Sequence, residues 1–273
     1  MLELPEVLNI SSQLQNHVKE RTITQVLPPT KQHKFCWFNG EPSDYDEVLA
    51  GKKIIGAQGF GIFAEILFEE GYKLSFNDGV NVRLLQAEKP PKDYQLMAVL
   101  DDGSALVFTV AMYGGIVLHR DNYYNEYYES SRYAVSPFKP EFAAHYNKVL
   151  SESKPGLSAK ALLAAEQRFP GIGNGVLQDI LFAAGIHPKR KLQTLTAEDR
   201  DRLFACTVSV LREMTEKGGR DTERDLFGNP GRYLTKMSKL TWTSPCPICG
   251  GPIIKEAYMG GSVYYCPTCQ PKT

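Results

Sequence analysis

Several absences narrow the field before any motif is read. No apolar run in the 273 residues approaches the ~20 needed to span a bilayer, so a helical membrane protein is excluded and no membrane partner is expected. The first apolar residues are interrupted by Glu3, Pro5 and Glu6, unlike a secretory leader, and a cytoplasmic location is expected. Internal repeats and low-complexity segments are also missing. A basic excess, the usual footprint of a nucleic-acid ligand, is absent too: 31 Lys and Arg face 31 Asp and Glu. The distribution differs from the total. Residues 1–150 carry 14 basic against 19 acidic side chains, and residues 151–273 carry 17 against 12. Binding to phosphates needs only local positive potential, so the carboxy-terminal part keeps DNA or RNA in play; uneven solvated faces are the bland alternative.

With 42% hydrophobic and 23% charged residues, the composition is that of globular domains, and the length suits two of ordinary size better than one. Val7, Ile10, Leu14 and Val18 recur at helical spacing and predict an amphipathic helix from Pro5 to about Glu20, with Pro5 in its first turn. From Thr22 to Arg120 the pattern changes to short apolar runs such as KIIGAQ, IFAEILF and ALVFTVAMY. Turn signals at Asn77-Asp78-Gly79 and Asp102-Gly103 separate them, which predicts a β-rich domain. The aperiodic stretch DNYYNEYYESSRYAVSPFKPEF reads as a connector. Helices follow: LSAKALLAAEQRF with Ser158 as N-cap, VLQDILFAA capped by Asn174 and ended by Gly185, and a third from Ala197 to Lys217.

Three stretches carry chemistry. Cys246, Cys249, Cys266 and Cys269 form C-x2-C-x16-C-x2-C, the spacing of a structural zinc site with Met259-Gly260-Gly261-Ser262 as hairpin tip. Four thiolates fill the tetrahedron and leave no position for a reacting water, so Zn2+ is expected to hold the fold; two disulfides are the alternative. Cys36 and Cys206 are expected to be ordinary core residues. In EQRFPGIGNGVLQDILFAAGIHPKRK a glycine turn joins two helices. Its exposed amides suit a phosphate, and Lys189, Arg190 and Lys191 extend such a contact; a plain helical hairpin is the alternative. His187 reads as a structural residue at the helix exit. The third stretch is MLELPEV, where a terminal amine, with an ordinary pKa of about 7.7, is a potential nucleophile beside the Glu3 carboxylate. Glu6 reads as a helix-dipole partner.

The x-E-L-P-E start, the β-rich first domain, the G-I-G-N turn ending in A-G-I-H-P, the stretch GGRDTERDLFGNPGRY and the terminal four-cysteine ribbon occur in one order. Together they resemble the formamidopyrimidine-DNA glycosylase and endonuclease VIII family. The resemblance implies an α+β multidomain fold: an amino-terminal helix with a β-sandwich-like domain (1–125), a helix-two-turn-helix DNA-binding domain (126–240) and a zinc ribbon (241–273). It implies base-excision repair, in which a damaged base is flipped out, its glycosidic bond is cut and the strand is nicked by AP-lyase chemistry through a Schiff base. The implied partner is damaged or abasic double-stranded DNA, with nucleoid association when bound; a monomer is the default expectation.

By the same resemblance the catalytic positions are Met1, Leu2 and Glu3, with Glu3 as proton shuttle, and Asn174 with Gly173 holds phosphate. Departures from the family pattern are specific. Leu2 stands where the family carries a proline exposed by Met removal. Aminopeptidases require a small second residue, so Met1 is expected to stay, placing the amine one residue, about 3.8 Å, further out. Gly61 stands in place of a strand lysine and Gly261 in place of a hairpin arginine. Met112 and Tyr113 in AMYGGI replace the loop residues that fill the gap left by a flipped base. A relative that binds damaged DNA with altered or lost chemistry is the alternative, and a zinc-ribbon structural protein without nucleic acid a remoter one.

Overall fold

The computed structural model describes residues 1–272 and divides into two compact units. The first comprises Met1–Arg132 together with Glu223–Pro230, and the second Tyr133–Thr222 with Gly231–Thr273. The division differs from boundaries at 125 and 240. A helix over Glu126–Arg132 belongs to the first unit, and the cysteine ribbon shares the second with the other helices.

In the first unit, nine strands form two sheets. One has the order β1-β7-β8-β6 (Ile23–Leu27, Leu96–Leu100, Ser104–Val110, Val80–Gln86). The other runs β2-β9-β5-β4-β3 (Cys36–Trp37, Gly114–His119, Lys73–Asn77, Phe63–Phe68, Ile54–Phe60). All neighbours are antiparallel except β2 and β9. Both sheets turn apolar side chains into one core, where Phe76 of β5 meets Phe108 of β8 edge-to-face at 5.3 Å, giving the expected sandwich.

Helix α1 (Leu4–His17) buries Val7, Ile10 and Leu14 in that core. It stops three residues short of Glu20, whose φ of 70° breaks the helix. The helix lies against β3 so closely that a Cβ on Gly59 would stand 2.6 Å from Ser11 Oγ and 2.8 Å from a Val7 methyl. Two hydrogen bonds fix the contact: Ser11 Oγ donates to the Gln58 carbonyl at 2.9 Å, and the Ala57 amide donates to Gln15 Oε1 at 2.8 Å. A short helix, α2 (Tyr45–Leu49), adds Tyr45 and Leu49 to the same core.

The other face of β4, β5 and β9 carries a buried polar cluster. Glu65, fully buried, accepts from Gln58 Nε2 (2.7 Å), Ser75 Oγ (2.6 Å) and Tyr128 OH (2.6 Å). His119 Nε2 lies 2.7 Å from Ser75 Oγ. Tyr128 comes from α3 (Glu126–Arg132), which explains why the stretch read as a connector contains a helix: its order derives from a long-range hydrogen bond and from Phe60 and Phe63, not from apolar periodicity.

The second unit is helical: α4 (Phe142–Glu152), α5 (Ala159–Ala164), α6 (Val176–Ala183) and α7 (Ala197–Glu216) enclose their own core. Ser158 caps α5 as expected, accepting from the Ala161 amide. The helix ends at Ala164 rather than running on to Phe169, because Glu166 and Gln167 take left-handed φ of 56° and 49°. Gly185, at φ 64°, terminates α6 as expected. Helix α7 starts in a reciprocal Thr196–Asp199 capping box. The hairpin β10–β11 (Ile254–Tyr258, Gly261–Tyr265) leaves Met259 and Gly260, both at positive φ, as the two-residue tip, so Gly261 and Ser262 lie on the strand. Among the described residues no helix is long and apolar enough to cross a membrane.

Burial alone would raise the Glu65 carboxyl, but the hydrogen bonds from His119, Ser75, Tyr128 and Gln58 outweigh it and lower the pKa to about 2. With a folded value below the ordinary 4.5, the stabilisation is present above pH 4.5 and is lost as pH falls through about 2. Glu65→Gln is therefore expected to cost about 3 kcal/mol in urea unfolding of the first unit near pH 7, a deficit that narrows as the wild type is acidified.

Candidate active site

The amino terminus is held by three successive devices. Glu3 precedes α1 with extended backbone (φ −125°), and its carbonyl accepts from the Val7 amide at 2.9 Å, opening the helix. Leu2 sinks its side chain into the sandwich core, and its amide donates to the Asp78 carbonyl at 2.6 Å. Met1 is left at the surface, about a third exposed, and its amine donates to Glu223 Oε2 at 2.5 Å. Leu2 nitrogen is thus a bonded amide in the protein interior, and the terminal amine belongs to Met1.

The Glu3 side chain is buried and makes no helix-capping bond. Asp78 lies in the turn between β5 and β6. It is buried, has a left-handed φ of 51°, and receives the Tyr127 hydroxyl at 3.2 Å from each carboxylate oxygen. Burial pushes its pKa up to about 6 against the smaller pull of Tyr127 and the terminal amine. Non-glycine residues at positive φ cost energy and persist only where their surroundings hold them.

The loop carrying Met112 and Tyr113 is clamped onto the same turn. Gly79 donates to the Tyr113 carbonyl at 2.9 Å, Ala111 donates to the Gly79 carbonyl at 2.8 Å, and a Cβ on Gly79 would stand 1.9 Å from the Ala111 carbonyl oxygen. Met112, at φ 71°, is the most exposed of these side chains at 69%. Tyr113 packs beside exposed Trp37 with ring centres 6.4 Å apart. Burial, followed by the charges of Asp78 and Glu3, raises the Tyr113 phenol. Sequence reading missed Asp78, Tyr127, Trp37 and Glu223 at this site. Asn77-Asp78-Gly79 was legible only as a turn, and no local signal places Glu223 next to residue 1. Gly61 sits in the β3–β4 turn at φ 50°, contributing no side chain.

In the second unit, Asn174 does not cap α6; the N-cap is Gly175, without a side-chain bond. Instead Asn174 Nδ2 donates to the Ser262 carbonyl at 3.0 Å, and Gln178 Nε2 donates to the same oxygen at 3.1 Å. Gly173 accepts from the Leu177 amide at 3.3 Å in the turn before the helix. A Cβ at Gly261 would stand 3.2 Å from Asn174 Nδ2, so the asparagine occupies the space above that strand position. Lys189 pairs with Glu256 at 2.8 Å on the hairpin. Arg190 is turned inward to Asp199 (2.6 Å) and the Thr194 carbonyl (2.9 Å), whereas Lys191 is exposed. Buried His187 packs against Tyr265 with the rings tilted and their centres 4.2 Å apart, and accepts from the Lys189 amide, the structural place expected of it.

The sulfurs of Cys246, Cys249, Cys266 and Cys269 all lie within 4.8 Å of one another, with 3.8 Å between Cys246 and Cys269 and 3.4 Å between Cys249 and Cys266. A tetrahedral ion with ~2.3 Å sulfur bonds needs sulfurs about 3.8 Å apart, while a disulfide needs about 2.05 Å. The donor set fits zinc. Half-buried Cys36 and Cys206 pack at the edges of the two cores, with burial pushing the Cys36 thiol up to about 12.

No protein-family model matches the chain. It is 27% identical over 280 residues to a formamidopyrimidine-DNA glycosylase of Bacillus cereus, covering 100% of both chains. The crystal structure of the MutM (Fpg) protein from Thermus thermophilus superposes with a TM-score of 0.80 at 25% identity, covering 99% of each chain. Fpg of Lactococcus lactis, solved in complex with DNA containing an abasic site, superposes at 0.83 with 20% identity, over 99% of this chain and 100% of that one.

Because the folded Asp78 pKa of about 6 lies above the ordinary 3.8, its contribution to stability is fully present below pH 3.8 and is lost as pH rises through about 6. Asp78→Asn is expected to gain about 2–3 kcal/mol over the wild type at pH 7.5 and nothing near pH 4, measured by urea unfolding at both values. A gain independent of pH would contradict the burial of this charge.

Proposed function

The chain is a divergent member of the formamidopyrimidine-DNA glycosylase and endonuclease VIII family, and from that membership we propose that it is a base-excision repair enzyme. It removes a damaged base from double-stranded DNA as an N-glycosylase and opens the resulting abasic site as an AP lyase. The single observation that carries the reading at the level of residues is the terminal amine of Met1, held at the surface by a sunken Leu2, paired with Glu223 and felt by Asp78, with Glu3 two residues along the chain. Such an amine attacks the sugar's anomeric carbon to give a Schiff base, and a carboxylate beside it moves the protons that base departure and strand scission require. Met1 is the nucleophile and Glu3 the proton shuttle.

Met112 and Tyr113 are the side chains offered to the gap left by a flipped nucleotide: they project from a loop that Gly79 locks in place, and wedges need a rigid base. In the helical unit, Asn174 retains a second amide hydrogen beyond the one given to Ser262, and with the Gly173 turn it contacts phosphate. Lys189 supplies charge from beside the hairpin. Arg190 supports the loop through Asp199 and contributes to the field more than to direct contact. Zinc, when bound by the four cysteines, fixes the hairpin that Asn174 and Gln178 grip at Ser262. The protein acts as a monomer in the cytoplasm, associated with the nucleoid when bound.

Borohydride reduction during incubation with duplexes carrying an abasic site or an oxidised base is expected to trap one covalent adduct, which peptide mass spectrometry assigns to the Met1 amine. Duplex binding without an adduct on any such substrate would leave a binding protein and not an enzyme. Asn174→Ala is expected to weaken affinity for the abasic duplex about tenfold at every salt concentration, leaving the slope of log affinity against log salt unchanged because a neutral amide releases no counterion, in fluorescence anisotropy across a salt series.

A further inference from the structure

The segment Glu223–Pro230 is separated by ninety residues of sequence from the rest of its unit, yet it is fastened there at several points. Leu226 is fully buried in the sandwich core. Gln13 of α1 clamps it twice, donating from Nε2 to Asp225 Oδ2 at 3.0 Å and accepting from the Leu226 amide at 2.9 Å. The Leu84 amide on β6 donates to the Leu226 carbonyl at 3.0 Å, and Phe227 meets His17 edge-to-face at 4.8 Å. Asp225 also closes the loop on itself by accepting from the Phe227 and Asn229 amides. A core-anchored loop of this kind is rigid enough to aim a side chain. The one it aims is Glu223, three residues before Leu226, whose Oε2 accepts from the Met1 amine at 2.5 Å.

We infer that Glu223 is the general base that activates the Met1 amine and the acid that completes Schiff-base formation. The inference rests on the amine-lyase reading above and adds a catalytic residue to it. The amine donates to Glu223, and in its ammonium form it has no lone pair with which to attack. Transfer of one proton to Oε2 gives a neutral amine and a carboxylic acid. The amine adds to the aldehyde carbon of an opened abasic sugar; a carbon–nitrogen bond forms, the carbonyl electron pair moves to oxygen, and a proton passes from nitrogen to that oxygen. Glu223 then returns its proton to the hydroxyl, which leaves as water while the nitrogen lone pair closes the iminium bond. Ammonium and aldehyde have become iminium and water, with the carboxylate regenerated. Both partners are open to substrate, since the Met1 and Glu223 side chains are 32% and 23% exposed. Glu3 keeps the sugar-side proton transfers.

Single-turnover trapping of an abasic duplex by the full chain, followed from pH 6 to 9, tests the assignment with Glu223→Gln and Glu223→Asp. A parallel series reads the labelling of Met1 by glycolaldehyde under cyanoborohydride. The Gln variant is expected to react about 100-fold more slowly near pH 7 in both assays, with the gap closing as pH rises and solvent takes the proton instead; Asp is expected to restore part of the rate. A purely structural contact would slow the Gln variant equally at every pH and would overturn the inference. Unchanged rates would overturn it as well. So would a faster Gln variant, because the carboxylate would then be a lock on the amine. If the wild type gives no duplex adduct while glycolaldehyde labelling still depends on Glu223 in the expected way, the lyase reading fails and the proton-transfer role stands.

Discussion

The contact on which the active end of the molecule depends is the close approach of α1 to β3 at Gly59. An α-carbon without a side chain lets the helix backbone at Val7 descend onto the strand, and Ser11 and Gln15 convert that approach into fixed hydrogen bonds. Everything upstream inherits the constraint. With the first turn of the helix immobilised, Glu3 has one position, Leu2 has one pocket and the Met1 amine has little freedom beyond its own torsions. Amine chemistry needs this, because an error of about 1 Å in a reacting group can cost a hundredfold in rate. The residue that the chain carries in place of the family's terminal proline is thus an anchor. Its amide is satisfied by Asp78 and its side chain by the core, which leaves the terminal amine on Met1.

A second constraint acts within the helical unit. Asn174 and Gln178 converge on the Ser262 carbonyl, while the Tyr264 amide donates back to Gln178 Oε1 at 3.1 Å. The start of α6 and the second strand of the cysteine hairpin are therefore one hydrogen-bonded piece. Gly261 lies beneath Asn174, and a side chain there would need the asparagine to give way by a few tenths of an ångström. Where the family pattern has an arginine at this position, the chain has substituted contact between helix and hairpin for a cation on the strand.

What the sequence made legible were features whose cause is local. The spacing of Val7, Ile10 and Leu14 announces α1, Ser158 and Gly185 mark helix ends, and paired cysteines two residues apart announce the ribbon, since caps, periodicity and metal grips all act within a turn or two of chain. Features with distant causes were illegible. Helix α3 owes its place to Tyr128 reaching Glu65, sixty-three positions earlier, and Asn174 is drawn from its capping role by a carbonyl eighty-eight positions later. The site divides on the same line: Glu3 is readable from the terminus, while Asp78 and Glu223 become neighbours of residue 1 only through sheet pairing and an anchored loop.

The opposed charge balance of the two ends of the chain now has a physical reading. Most acidic side chains of residues 1–150 are exposed, but Asp78 and Glu65 are buried. Asp78 is held by Tyr127 and Glu65 is sealed among four polar partners, whereas Glu223, which holds the amine, is brought to the first unit from the other half of the sequence. Glu65 is held as the carboxylate by its donors, while burial pushes Asp78 toward the protonated form. In the other unit the basic run is mostly engaged as well: Lys189 pairs with Glu256 and Arg190 with Asp199, which leaves Lys191 exposed. One net charge of zero thus conceals two opposed charge balances along the chain.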